Sequence, residues 1–122
     1  MIRFLLAAGL LIAATIAAHA EPLQGDFECL SDHAGPETYH GTMRVETVES
    51  FGWLDPDTAT LGQLYPIQVL ADGQVILGQG FAEHIVPGAF FLTGWFNEDT
   101  FTYEASITTA DRVLDVLCTY VY

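Results

Sequence analysis

Apolar and polar positions alternate with a period of two through most of the chain after residue 20, a pattern that predicts half-buried strands rather than helices. Gln24 to Leu30 sets Phe27 and Cys29 on one face and Asp26 and Glu28 on the other. Thr38 to Val48 alternates Met43, Val45 and Thr47 with Arg44 and Glu46. Leu64 to Leu70 and Gln74 to Ala82 flank Asp72-Gly73, the dipeptide that favours a tight hairpin turn. Pro66 cannot donate to a ladder, which points to an edge position, and Gly78 and Gly80 predict a bend or bulge in the returning strand. Ala89 to Phe96 is apolar on both faces. In Thr100 to Thr108, Phe101, Tyr103, Ala105 and Ile107 alternate with threonine, glutamate and serine. Arg112 to Tyr122 closes the series with Leu114, Val116, Cys118 and Tyr120 on one face. Residues 51–64 stay open: Phe51, Trp53 and Leu54 suit a brief strand or an apolar lid, Asp55-Pro56-Asp57-Thr58 suits a turn, and 58–64 suits a helical turn.

The first twenty residues follow a different grammar. Arg3, a largely apolar run from Phe4 to Ala18, and the small residues of Ala18-His19-Ala20 read as a cleavable signal peptide over 1–20. The run is shorter than the roughly 20 apolar residues a membrane span needs. A single domain over 21–122 remains, with a periplasmic or secreted location expected. Its two cysteines, Cys29 and Cys118, lie 89 positions apart and form a disulfide in an oxidising compartment. That bond brings the first and last strands together. The predicted fold is therefore all-β, a small antiparallel barrel or sandwich of seven to eight strands whose first and last strands are joined by the disulfide. Short sequential connections favour the barrel.

Charge narrows the partners. The chain carries 16 acidic residues, all after residue 20, against Arg3, Arg44 and Arg112 and no lysine, for a net charge of −13. Loss of Arg3 makes it −14. Such a field repels nucleic acid and anionic lipid and attracts basic proteins and peptides, although the same composition also serves solubility.

Candidate chemistry is sparse. Asp32, His33, Glu37 and His40 gather four metal-ligating side chains within nine residues, suited to zinc or copper but in no established motif spacing. Asp55-Pro56-Asp57 offers clustered oxygens, yet Ala59 and Thr60 stand where a calcium loop needs a fifth-position ligand and a glycine, so a capped turn is expected. Ser31, Ser50 and Ser106 sit in no nucleophile elbow, and paired cysteines are not nucleophiles. A non-enzymatic domain without a cofactor is the expectation. Phe90, Phe91, Trp95, Phe96, Phe101 and Tyr103 fall on one predicted hairpin, where they form either ordinary core or the lining of a pocket for a small apolar ligand. Because Phe90 and Phe91 are consecutive, one of them faces outward.

Phe27-Glu28-Cys29 and Val116-Leu117-Cys118 resemble the layout of exported β-barrel inhibitors of c-type lysozyme, with an aromatic before an early cysteine and a second cysteine near the end. The resemblance covers those two segments, and the Ser-Gly inhibitory loop of that family has no counterpart. It implies a barrel and a basic partner. The functional expectation is binding or inhibition of a basic protein or peptide through an acidic surface. The alternatives are a lipocalin-like carrier and a metal-binding module at His33 and His40.

Overall fold

The computed structural model describes residues 24–31 and 38–122. The expected signal peptide over 1–20 lies outside them. Among the described residues nine strands form in chain order: β1 (Gly25–Ser31), β2 (Thr38–Thr47), β3 (Ser50–Trp53), β4 (Tyr65–Pro66), β5 (Gln68–Val69), β6 (Val75–Ile76), β7 (Phe90–Asn97), β8 (Thr102–Thr108) and β9 (Val113–Tyr120). A helix, α1 (Gln79–Ile85), stands between β6 and β7. Seven strands make one antiparallel sheet in the order β4-β3-β2-β1-β9-β8-β7, curled into a half-barrel, while β5 and β6 form a separate hairpin.

The disulfide sits at the middle of this sheet. Cys29 and Cys118 are direct partners in the β1–β9 ladder, with Cα atoms 3.9 Å apart, and both are fully buried. The strands that carry the two cysteines meet as expected. They meet in the centre of an open sheet, however, because β1 leads outward through β2 and β3 to the β4 edge, and β9 leads outward through β8 to the β7 edge. The β5–β6 hairpin and α1 span the gap between those edges.

Strand parity does the sorting. Phe27, Cys29, Met43, Val45, Phe51, Trp53, Tyr103, Ala105, Ile107, Leu114, Val116 and Cys118 all face inward and are buried. Two aromatic groups fill the interior. Phe27 packs edge-on to Tyr103 and Tyr120, with Phe96 beside Tyr103. Phe51, Trp53 and Phe81 form the second group, with Tyr65 and Phe91 at its margin.

The region 74–85 departs from the expected strand. Val75 and Ile76 alone are extended, Gly78 at φ 73° redirects the chain, and a helix follows. Phe81, Ala82 and Ile85 fall on one helical face and are buried, so helix formation turns three apolar residues into the open side of the half-barrel. Trp53 Nε1 donates to the Gly80 carbonyl at 3.2 Å and fastens the helix to β3. The outgoing Leu64–Leu70 strand is likewise reduced to β4 and β5, around Ile67, whose N–H donates to the Glu49 carbonyl. Pro66 does lie on the sheet edge. Asp72-Gly73 makes the expected turn: Gly73 takes φ 90°, and Asp72 Oδ1 accepts the Gln74 N–H at 3.0 Å. Phe101, expected inward beside Tyr103, instead occupies the turn before β8 at φ 53° and is exposed.

Replacing both Cys29 and Cys118 by alanine should lower stability by about 2–5 kcal/mol, through release of a long loop in the unfolded chain. Urea melts of the oxidised and double-variant proteins measure this; coincident midpoints would remove the disulfide from the stability of the fold.

Candidate functional site

Three surfaces hold the side chains that could carry function. The first is built around His40. The Ser31 Oγ lies 2.5 Å from His40 Nε2 across the β1–β2 pair, and the His40 carbonyl accepts a hydrogen bond from His84 Nε2 at 2.8 Å. His84, on α1, stacks flat on Trp53 with ring centroids 3.8 Å apart. Partial burial of the ring lowers the His84 pKa below the ordinary histidine value, and the bond to the His40 carbonyl offsets part of that shift. The neutral imidazole thus joins helix to sheet. Of the proposed metal ligands, Asp32, His33 and Glu37 lie outside the described residues, and His40 is engaged with Ser31. Among the described residues, no group of three or more His, Cys, Asp or Glu side chains is arranged to hold a metal ion.

The second is the loop after β3. Asp55 Oδ1 accepts the N–H groups of Asp57 at 2.8 Å and Thr58 at 3.1 Å, which hold its carboxyl below the usual aspartate range. The carboxylate caps its own turn, as the sequence suggested.

The third surface is the outer face of the sheet. The six aromatic residues read as either core or the lining of an apolar pocket divide between the core and the surface. Tyr103 is buried, Phe96 packs on it, and Phe91 packs on Phe81 within the core. Phe90, Trp95 and Phe101 are exposed. The interior is occupied by packed side chains, and the described clefts open to solvent.

Ladder register explains where Trp95 goes. Leu92 is the extra residue of a β-bulge in β7, between the Phe91–Ile107 and Thr93–Ser106 pairs. From there Thr93 and Trp95 point outward, opposite Ser106 and Glu104. Glu104 in turn opposes Leu117, Leu117 opposes Leu30, and Leu30 opposes Tyr39. One outward row therefore crosses five strands as Trp95, Glu104, Leu117, Leu30 and Tyr39. Trp95 is 44%, Leu117 42% and Tyr39 56% exposed, so the row is a solvent-facing stripe and not core. The neighbouring row runs Thr93, Ser106, Asp115. All of these residues except Tyr39 line an open groove of about 620 Å³.

Short polar contacts fix the groove's acids. Asn97 Nδ2 donates to Glu104 Oε2 at 3.1 Å, with the Thr102 hydroxyl at 3.5 Å from the same oxygen. The Ser106 hydroxyl donates to Asp115 Oδ1 at 3.3 Å. The Gln74 amide reaches the Thr93 hydroxyl, and a bridge between Gln74 and Trp95 ties the β5–β6 hairpin to β7. Gly94 permits that approach, since a Cβ there would fall 2.8 Å from the Val75 carbonyl oxygen.

No family model matches the chain, and no curated protein or solved structure matches it. The likeness of two cysteine segments to lysozyme inhibitors therefore has no wider support. No helix among the described residues is long and apolar enough to cross a membrane.

Trp95 stands out in the sequence as either core or pocket lining, whereas it lies exposed on the outer face. The signals for the outer row were present in the parity of β8 and β9, where Glu104 and Leu117 lie opposite in face to Tyr103 and Cys118.

Because burial lowers the His84 pKa in the folded state below the 6.5 of an ordinary histidine, the unfolded chain takes up the proton first, so stability is lost as pH falls through and below that value. The wild-type melting temperature should therefore fall, relative to that of His84→Gln, between about pH 7 and pH 5. Parallel melting curves across that window would contradict the assignment.

Proposed function

We propose that this chain is an exported, non-enzymatic binding domain that takes a basic protein or peptide on the outer face of its half-barrel sheet. The supporting observation is the five-strand outward row in which exposed Trp95 and Leu117 flank Glu104, with Asp115 in the neighbouring row and exposed Tyr39 at the far end, on a chain of net charge −13. Exposed aromatic and aliphatic side chains supply contact area, and the surrounding acids supply steering and register. Arg44 does not offset them, because Asp26 holds its guanidinium through two hydrogen bonds of 2.7 and 3.1 Å. The buried disulfide is consistent with export, since such bonds persist where the surroundings are not reducing.

The interior makes a poorer binding surface. Its largest side chains are fully covered and packed in pairs, Phe27 on Tyr103 and Phe51 on Phe81.

Fluorescence anisotropy with a labelled cationic ten-residue peptide tests the reading. Binding should be measurable at low ionic strength and weaken on the order of tenfold or more as salt is raised through the range where the Debye length shrinks from about 30 to 8 Å. A peptide that stays free at low salt, or binds with no salt dependence, would overturn it.

A further inference from the structure

We infer that the outer groove is an arginine-reading site: it takes one guanidinium on Trp95 between Glu104 and Asp115, within an extended segment of the partner. This rests on the reading of the outer face as a surface for basic partners, and specifies the chemistry recognised there.

The geometry favours a planar, forked cation. Trp95 is exposed on the outward face directly across the ladder from Glu104, so a cation lying over the indole is beside that carboxylate. Asp115 is the diagonal neighbour of Glu104, since Glu104 pairs with Leu117 and Ser106 with Asp115. Diagonal positions lie about 7–8 Å apart, a gap that a guanidinium with donors on several edges spans and a compact ammonium does not. Both acids are held in place with accepting capacity left over. Asn97 and Thr102 act on Oε2 of Glu104, and Ser106 on Oδ1 of Asp115, so among the described residues Oε1 and Oδ2 are left to receive N–H donors. Stacking of a guanidinium on indole adds a cation–π attraction.

Charge complementarity settles the occupant in favour of a basic partner over a second copy of this chain. The two outward rows carry no lysine or arginine, so a second copy would set acid against acid. The row from Trp95 to Tyr39 crosses five strands, about 19 Å at ordinary strand spacing. An extended segment of about six residues covers that length. With its arginine at the Trp95 end, the segment lays its following side chains over Leu117 and Leu30.

Three otherwise identical peptides, carrying arginine, lysine or citrulline at one position, test this against wild-type protein and the Trp95→Leu and Glu104→Gln variants. The variants lie on the solvent face, and unchanged thermal melts certify their folding. Wild type should prefer the arginine peptide over the lysine peptide by on the order of tenfold, with citrulline weakest. Each variant should reduce that preference to less than about threefold, and the Trp95 indole N–H resonance should shift on binding while that of Trp53 does not. Equal affinity for arginine and lysine, or an arginine preference that survives both variants, would overturn the inference and leave the basic-partner reading standing. Failure of all three peptides to bind at low salt would overturn both. A dimer in sedimentation equilibrium that excludes the arginine peptide would assign the face to a second copy and overturn both as well.

Discussion

The covalent pairing of Cys29 with Cys118 fixes the register on which every other feature depends. It holds the first and last strands at one definite offset, and in a β-ladder an offset of a single residue exchanges the two faces. With those two sulfurs buried, Phe27 and Val116 must also face inward, and Leu30 and Leu117 must face outward. The parity of the central pair passes to β2 and β8 through their own ladders, and from β8 to β7. The composition of the outer groove is thus a consequence of where two cysteines stand.

From that frame the molecule separates two tasks by face. The inner face is a continuous aromatic and aliphatic core, closed over by α1 and the β5–β6 hairpin because a half-barrel of seven strands leaves its own interior open. The outer face carries aromatic rings and aliphatic chains among oriented acids. Small residues reconcile the two. Gly94 lets the β5–β6 hairpin close against β7, which steadies Trp95 through Gln74 without covering it. His84 performs the matching function at the other side, binding the helix to β2 and β3 as a neutral ring.

Much of the fold was legible in the sequence because alternation and hydrogen-bonded geometry share a period of two. The long strands β1, β2, β7, β8 and β9, the Asp72-Gly73 turn, the edge position of Pro66 and the disulfide all follow from residues read in order. The helix was not legible in the same way. Its apolar face is only Phe81, Ala82 and Ile85, too short to establish a 3.6-residue period, and Gly78 and Gly80 resemble the marks of a bent strand. The candidate site was legible in part. Trp95 stood out, but its neighbours come from strands distant in sequence, and no local pattern states which residue of β8 or β9 lies opposite. The bulge at Leu92 adds a further offset that alternation alone does not contain.

The edges of the open sheet carry one more consequence. An exposed strand edge invites intermolecular pairing and, in β-rich proteins, fibril growth. Here one edge is β4, two residues long and containing Pro66, which has no N–H to offer a neighbouring molecule. The other, β7, is bulged and partly shielded by the β5–β6 hairpin. A sheet left unclosed thus presents little continuous, unpaired backbone along either margin for another chain to extend.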